Sequence, residues 1–170
     1  VKAEQQHYSR FAEYYEAIYN EIVDYKSQTS FLERIFVKFH KGPVRSILDM
    51  VCSTGNFTLL FGEQDYVTIG FDLSDEIIRV TKEKKNDERK YKNVQFLKID
   101  MRGIQFGDNG CDVGTVLFRG FGYLLEYVEV RKFFAGVRRH LKKDGLLIFE
   151  FWHVSGVRSE GSSRAGYVSW

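Results

Sequence analysis

Ser46-Ile47-Leu48-Asp49-Met50-Val51-Cys52-Ser53-Thr54-Gly55 is the stretch whose reading decides the fold. A short apolar run leads into a loop of small residues, which is the signature of a buried strand entering a tight turn. Val67-Thr68-Ile69-Gly70-Phe71-Asp72 repeats the strand and closes on an acid. Strand, small-residue loop, helix and a second strand ending in an acid make the frame of a nucleoside-binding βαβ unit. The terminal acid is suited to accept hydrogen bonds from both ribose hydroxyls. The helix N-terminus lies beside the ligand.

Outward from that unit, strands and helices alternate. Strands are expected at about 45–50, 66–71, 94–98, 112–118 and 146–152. Helices are expected at 56–61, from an N-cap at Ser74 through Val80, and at 126–141, with Lys142-Lys143-Asp144-Gly145 turning into the last strand. Upstream, Tyr8, Phe11, Tyr14, Tyr15, Ile18 and Tyr19 stand near helical spacing, and Phe31, Leu32, Ile35, Phe36 and Phe39 form a second helical pattern that Lys41-Gly42-Pro43 ends. Apolar strands alternating with helices mean a parallel sheet covered on both faces. The expected architecture is an α/β, Rossmann-like doubly wound and mainly parallel sheet. One domain is expected, with residues 1–42 as a helical cap, 43–152 as the core and 153–170 as a short tail.

The 170 residues suffice for one real core, and 44% apolar with 28% charged residues is ordinary globular composition. A formal charge of +2 gives no strong pull toward nucleic acid or an anionic membrane. The run Lys82 to Lys90 interleaves acids with its bases and reads as a solvated helix end. No apolar stretch is long enough to span a bilayer and the start carries no signal-peptide pattern; the sparse cysteines make a reducing, cytoplasmic location the expectation. Cys52 and Cys111 are too few for a disulfide framework, and neither has a metal-ligand spacing with His or Cys.

Asp49 separates two chemistries that share this frame. An acid at the first strand tip repels a pyrophosphate, and the glycine pattern of dinucleotide sites is absent, with Val51, Ser53 and Gly55 in the loop. Asp49 suits a cationic group instead; the plainer alternative is a turn or capping acid. Asp72 is read as a ribose ligand or as the cap of the next helix. Asp100, in Ile99-Asp100-Met101-Arg102, is read as an acceptor for an adenine amine with Met101 or Ile99 against the ring, or as a turn aspartate. Three acids at successive strand tips form a stronger signal than any one, because such sheets bind ligands at the carboxyl ends of their strands.

Those segments resemble the class I S-adenosylmethionine-dependent methyltransferases, and within them the small-molecule enzymes with a Phe-Gly-Tyr-Leu segment, here Phe121-Gly122-Tyr123-Leu124. Asp49 to Gly55 resembles the family's D-x-G-C-G-T-G, Gly70 to Ser74 its second motif, and Asp100-Met101-Arg102 its third. Arg139 to Gly145 resembles H-L-K-P-G-G, and Phe11 to Glu16 resembles F-A-x-x-Y-D. The resemblance covers about residues 8–153. It implies S-adenosyl-L-methionine as cofactor and a small-molecule acceptor. Asp49 would meet the methionine amino group, Asp72 with the adjoining Leu73 the ribose, and Asp100 with Met101 the adenine. Gly55 would give close backbone approach, Tyr15 would close over the methionine end, and Phe118 and Arg119 would border the methyl group, with a plain core role for Phe118 the alternative. Tyr123, His153 and, less so, His140 are candidate bases.

Three departures stand out. Val51 and Ser53 fill glycine positions, and the methyls of Val51 are expected to crowd the cofactor, weakening its binding, shifting the loop or leaving a non-catalytic binding module. Arg119 and Gly120 replace small polar residues. The strands that usually follow strand five are expected to be short or missing, so either the tail covers its apolar edge, or a second copy does in a homodimer, or the chain is a shortened product.

Overall fold

The computed structural model describes residues 16, 18–85, 87, 89–105, 107 and 110–151. Residues 18–22 are helical, and α1 follows over Tyr25–Phe39. It starts earlier than the apolar spacing alone indicates, because Asp24 caps it: its carboxylate accepts from the Ser27 N–H at 3.0 Å and the Ser27 hydroxyl at 2.6 Å. Then come β1 (Ser46–Met50), α2 (Asn56–Glu63), β2 (Val67–Asp72), α3 (Asp75–Lys84), β3 (Val94–Lys98), a 3₁₀ turn (Met101–Gly103), β4 (Cys111–Val116), a second 3₁₀ turn (Gly120–Tyr123), α4 (Tyr127–His140) and β5 (Leu141–Phe149). Among the described residues, no helix is long and apolar enough to cross a membrane.

The five strands lie in the order β3-β2-β1-β4-β5, and all neighbours are parallel. β1 is central and alternates its faces. Ile47 packs with Leu32, Phe36, Phe57 and Phe61 of α1 and α2. Leu48 and Met50 pack on the other face with Phe71, Phe133 and Val137. Asp49 therefore shares the α2 face with Ile47. Phe36, Phe61, Phe71 and Phe133 are fully buried, and each stabilises the fold by about 2–3 kcal/mol.

Three strand boundaries differ from the sequence expectation by two residues or more, one of them the end of β5 at Phe149 rather than 152. β4 ends at Val116 rather than 118, because Phe118 and Arg119 take positive φ and leave the sheet. β5 already pairs at Leu141, opposite Cys111, and its next partner pair is Val113 with Leu146. The expected turn residues Lys142 to Gly145 thus form an irregularity inside the strand, with Asp144 at φ 63.

At the amino end of the sheet Asp112 ties three segments together. It accepts from the N–H groups of Arg45 at 2.8 Å and Ser46 at 2.9 Å, from the Ser46 hydroxyl at 3.0 Å, and from Lys142 Nζ at 2.9 Å. Burial pushes its carboxyl up, but these donors outweigh that and hold it down at about 2.

Candidate active site

The strand order reverses between β1 and β4, so a crevice opens where the loops after these strands diverge. Left-handed backbone marks both loops. Among the described non-glycine residues, six have positive φ; four of them are Val51 (58°) and Ser53 (49°) after β1, and Phe118 (51°) and Arg119 (63°) after β4. Such residues cost of order 1–3 kcal/mol each and gather where function over-determines the backbone. Gly55, at φ 76, ends the first loop and opens α2 without a side-chain cap. A Cβ there would stand 2.8 Å from the Phe96 ring, so both conformation and space require glycine.

Asp49 lies one residue before the end of β1, beneath the loop, at 2% exposure. It is neither a cap nor a turn acid. Its two oxygens accept from Thr58 Oγ1 at 2.6 Å and Thr115 Oγ1 at 2.8 Å. Burial pushes its pKa up to about 6 against those two hydroxyls, and the Asp72 charge adds to the rise. Asp72 is the last residue of β2. One oxygen accepts from the Ser53 N–H at 3.2 Å and the other from the Ser74 N–H at 3.1 Å. Burial raises its pKa as well, against the N–H groups of Ser74, Ser53 and Leu73. The helix-capping role belongs to Ser74, whose hydroxyl accepts from Ile77 N. Asp72 instead binds the loop after β1 to the loop after β2, with half-buried Leu73 between. None of the groups that set either acid's shift is a cation.

Asp100 behaves differently. It lies past β3, caps the Met101–Gly103 turn, and is gripped by Arg102 through Nε at 2.9 and 3.0 Å and Nη2 at 2.6 Å. Arg102 holds its pKa below the usual range. Met101 is buried beside it. The strand tips thus bring Asp49, Asp72, Ser53 and Gly55 together, while Asp100 turns toward Arg102 and, through it, toward Glu129 at 3.2 Å.

Phe118 packs with Tyr19, Tyr25 and Phe57 at ring-centroid distances of 5.9, 5.6 and 5.7 Å. The partly buried ring thus joins the β4 loop to the helices above. Tyr123 is half exposed in the second 3₁₀ turn. His140 is buried in the last turn of α4, with Nδ1 2.8 Å from the Gly136 carbonyl oxygen. Tyr15 and His153 lie outside the described residues.

Four contributors escaped the sequence reading. Thr58 and Thr115 flank Asp49, and their only signal is a hydroxyl within an apolar run. Glu150, just past β5, accepts from the Phe118 N–H at 2.8 Å and from that of Arg119, which fixes the left-handed pair. Lys84, the last residue of α3, donates to Glu16 Oε1 at 2.6 Å, Thr54 O at 2.9 Å and Asn56 Oδ1 at 2.6 Å. Its three protons are all engaged.

A family model described as a methyltransferase domain matches residues 47–145. A protein of Geobacillus sp. (strain WCH70) with a provisional methyltransferase name is 29% identical over 143 residues, which is 84% of this chain and 56% of the relative. The ubiquinone/menaquinone biosynthesis C-methyltransferase UbiE of Shewanella piezotolerans is 32% identical over 114 residues, 64% of this chain and 43% of its own. Among solved structures, S-adenosylmethionine-bound CalS10, an amino pentose methyltransferase from Micromonospora echinaspora, superposes with a TM-score of 0.70 at 23% identity, covering 82% of this chain and 56% of that one. The last comparison shows the fold. The chain spans about half the length of the curated relatives it matches. The residues matched by the family model run from β1 into β5 and include the whole crevice between the β1 and β4 loops, and the chain belongs to the methyltransferase-domain family.

Proposed function

We propose that this chain binds S-adenosyl-L-methionine in the β1–β4 crevice and directs methyl transfer to a small-molecule acceptor. The observation that carries the reading is the pair of buried acids, Asp49 and Asp72, whose charges repel each other and are balanced by hydroxyls and backbone N–H groups alone. A cationic ligand relieves that repulsion; a pyrophosphate worsens it. The family membership and the small-molecule acceptors in the names of UbiE and CalS10 support the same reading.

The bound cofactor supplies an electrophilic methyl group on a sulfonium. In this reading Asp72 accepts from the ribose hydroxyls, beside Leu73. Met101 packs against the adenine, and Asp100 keeps a lone pair for the exocyclic amine while Arg102 fixes its plane. Asp49 acts on the amino end through its buried charge. Gly55 admits the backbone to close range, and Tyr15 is assigned the methionine end by the family resemblance alone. The Phe118–Gly120 turn faces the acceptor. Displacement at carbon disperses charge, so alignment of the two reactants supplies most of the acceleration. Among the described residues β5 is an edge strand, and in this reading a second copy of the chain covers its outer side; sedimentation velocity over a concentration series reads that.

The test is a calorimetric titration with S-adenosylmethionine and its demethylated product, with NAD as control. Micromolar binding, about −8 kcal/mol, is expected for the first two and none for NAD. No binding of any would leave the non-catalytic module that the Val51 and Ser53 substitutions suggest.

A further inference from the structure

We propose that Val51 and Gly120 are a size-matched pair that sets the distance between the cofactor loop and the acceptor loop, so that they are positioning residues for methyl transfer. The inference rests on the function proposed above. Val51 is β-branched and stands at φ 58, where such side chains are rarely found. Its isopropyl group fills a particular space. A Cβ built on Gly120 would lie 3.0 Å from Val51 Cβ, 3.2 Å from Val51 Cγ1 and 3.1 Å from Val116 Cγ1. Gly120 does not have positive φ, so its backbone conformation is open to any residue. What crowds a side chain at 120 is chiefly the valine at 51, with Val116 Cγ1 on the other side.

The place of the contact gives it a function. Val51 directly follows β1 and Gly120 follows β4 by four residues, and these strands are neighbours at the point where the sheet order reverses. The two side-chain positions therefore meet at the root of the crevice. Neither loop can retreat from the other. Glu150 holds the N–H groups of Phe118 and Arg119, and the Gly120 N–H donates to the Leu117 carbonyl at 3.1 Å. On the other side the Cys52 N–H donates to the Phe71 carbonyl at 2.9 Å, and Ser53 is tied to Asp72. With both turns fixed, side-chain volume at 51 plus 120 determines the gap. The large residue on the cofactor side and the absent side chain on the acceptor side are one adaptation. Read singly, each looks like damage.

Four proteins test this: the wild type, Val51→Gly, Gly120→Ala and the double variant. Each is measured by thermal unfolding and by calorimetric titration with S-adenosylmethionine. Gly120→Ala is expected to weaken cofactor binding about tenfold or more, Val51→Gly about threefold, and the double variant to return to within about threefold of wild type. Should Gly120→Ala alone fail to fold, a folded and binding double variant is the same rescue. Losses that multiply in the double variant would overturn the pairing. Equal affinities in all four, with coupling seen only in unfolding, would reduce the pair to a packing contact and overturn its positioning role. A wild type that binds no cofactor while unfolding still shows the coupling would instead overturn the functional reading on which the positioning role depends.

Discussion

The two ends of the central sheet treat carboxylates in opposite ways. At the amino end, Asp112 is surrounded by donors, a lysine ammonium among them, and is held down at about 2. At the carboxyl end, Asp49 is pushed up to about 6 by burial and by Asp72, with only hydroxyls for partners. Both acids are buried, at 6% and 2% exposure, so burial alone does not separate them. The partners do. Asp112 is complete without a ligand and lowers the energy of the fold. Asp49 raises that energy, a cost that the proposed cationic cofactor would offset on binding.

Removing the complete acid should produce the largest loss of stability. Asp112→Ala leaves the N–H groups of Arg45 and Ser46 without their acceptor and is expected to destabilise the protein by about 2–4 kcal/mol in urea unfolding. Cofactor affinity in the folded protein should stay within about twofold, because the site lies at the other end of the sheet. The pH dependence has a definite sign. The folded pKa is depressed from 3.8 to about 2, so the unfolded chain binds the proton more readily. The contribution, about 2–3 kcal/mol, is whole above pH 4 and disappears as pH falls through 2. A variant that lost cofactor binding rather than stability would erase the contrast between the two ends.

The opposite outcome is expected of Asp49→Asn. In the wild type the folded pKa is raised from 3.8 to about 6. Below pH 4 both states hold the proton and the group costs nothing; between 4 and 6 the unfolded chain ionises first, and stability falls; above 6 the full cost, about 3 kcal/mol, is present. Asparagine cannot ionise, yet it can still bond to both threonines. The variant should therefore be more stable than wild type by about 1–3 kcal/mol at pH 8, with the difference shrinking toward pH 4.5. It should bind S-adenosylmethionine about tenfold or more weakly. The wild-type affinity should fall up to about tenfold per pH unit below 6, while that of the variant stays flat. A less stable Asp49→Asn protein with unchanged affinity would make Asp49 another Asp112.

The sequence carries the frame of this contrast and misses its chemistry. Apolar runs, the Gly55 turn and the alternation of elements are local signals, so strands and helices are legible to within a few residues. The acids at Asp49 and Asp72 are legible from their places after apolar strands. Their partners are not, because Thr115 lies 66 residues from Asp49 and Ser53 lies 19 from Asp72. Asp112 attracts no attention in a sequence, since its donors come from Arg45, from the first residue of β1 and from the irregular start of β5. The Val51 methyls, read as an intrusion on the cofactor, occupy the space over Gly120. A single chain shows a substitution; only the fold shows what it faces.

Lys84 offers the finest test, because it is the ammonium that could undo the contrast. It reaches the first loop, and its charge lies in the same half of the molecule as the two acids. Yet its protons go to Glu16, Thr54 O and Asn56, and its pKa is lowered, because burial outweighs the opposing Glu16 charge. It serves to hold residue 16 onto the loop and leaves Asp49 uncompensated. Lys84→Met keeps the aliphatic stem and removes the charge. Stability should fall by about 1–2 kcal/mol, with faster amide exchange over residues 51–56, since one partly buried ion pair and two hydrogen bonds are lost. The pH midpoint of cofactor binding should stay near 6. If the midpoint rises by about one unit, Lys84 was stabilising the ionised Asp49 across the loop, and the carboxyl end of the sheet has a hidden counterpart to Lys142.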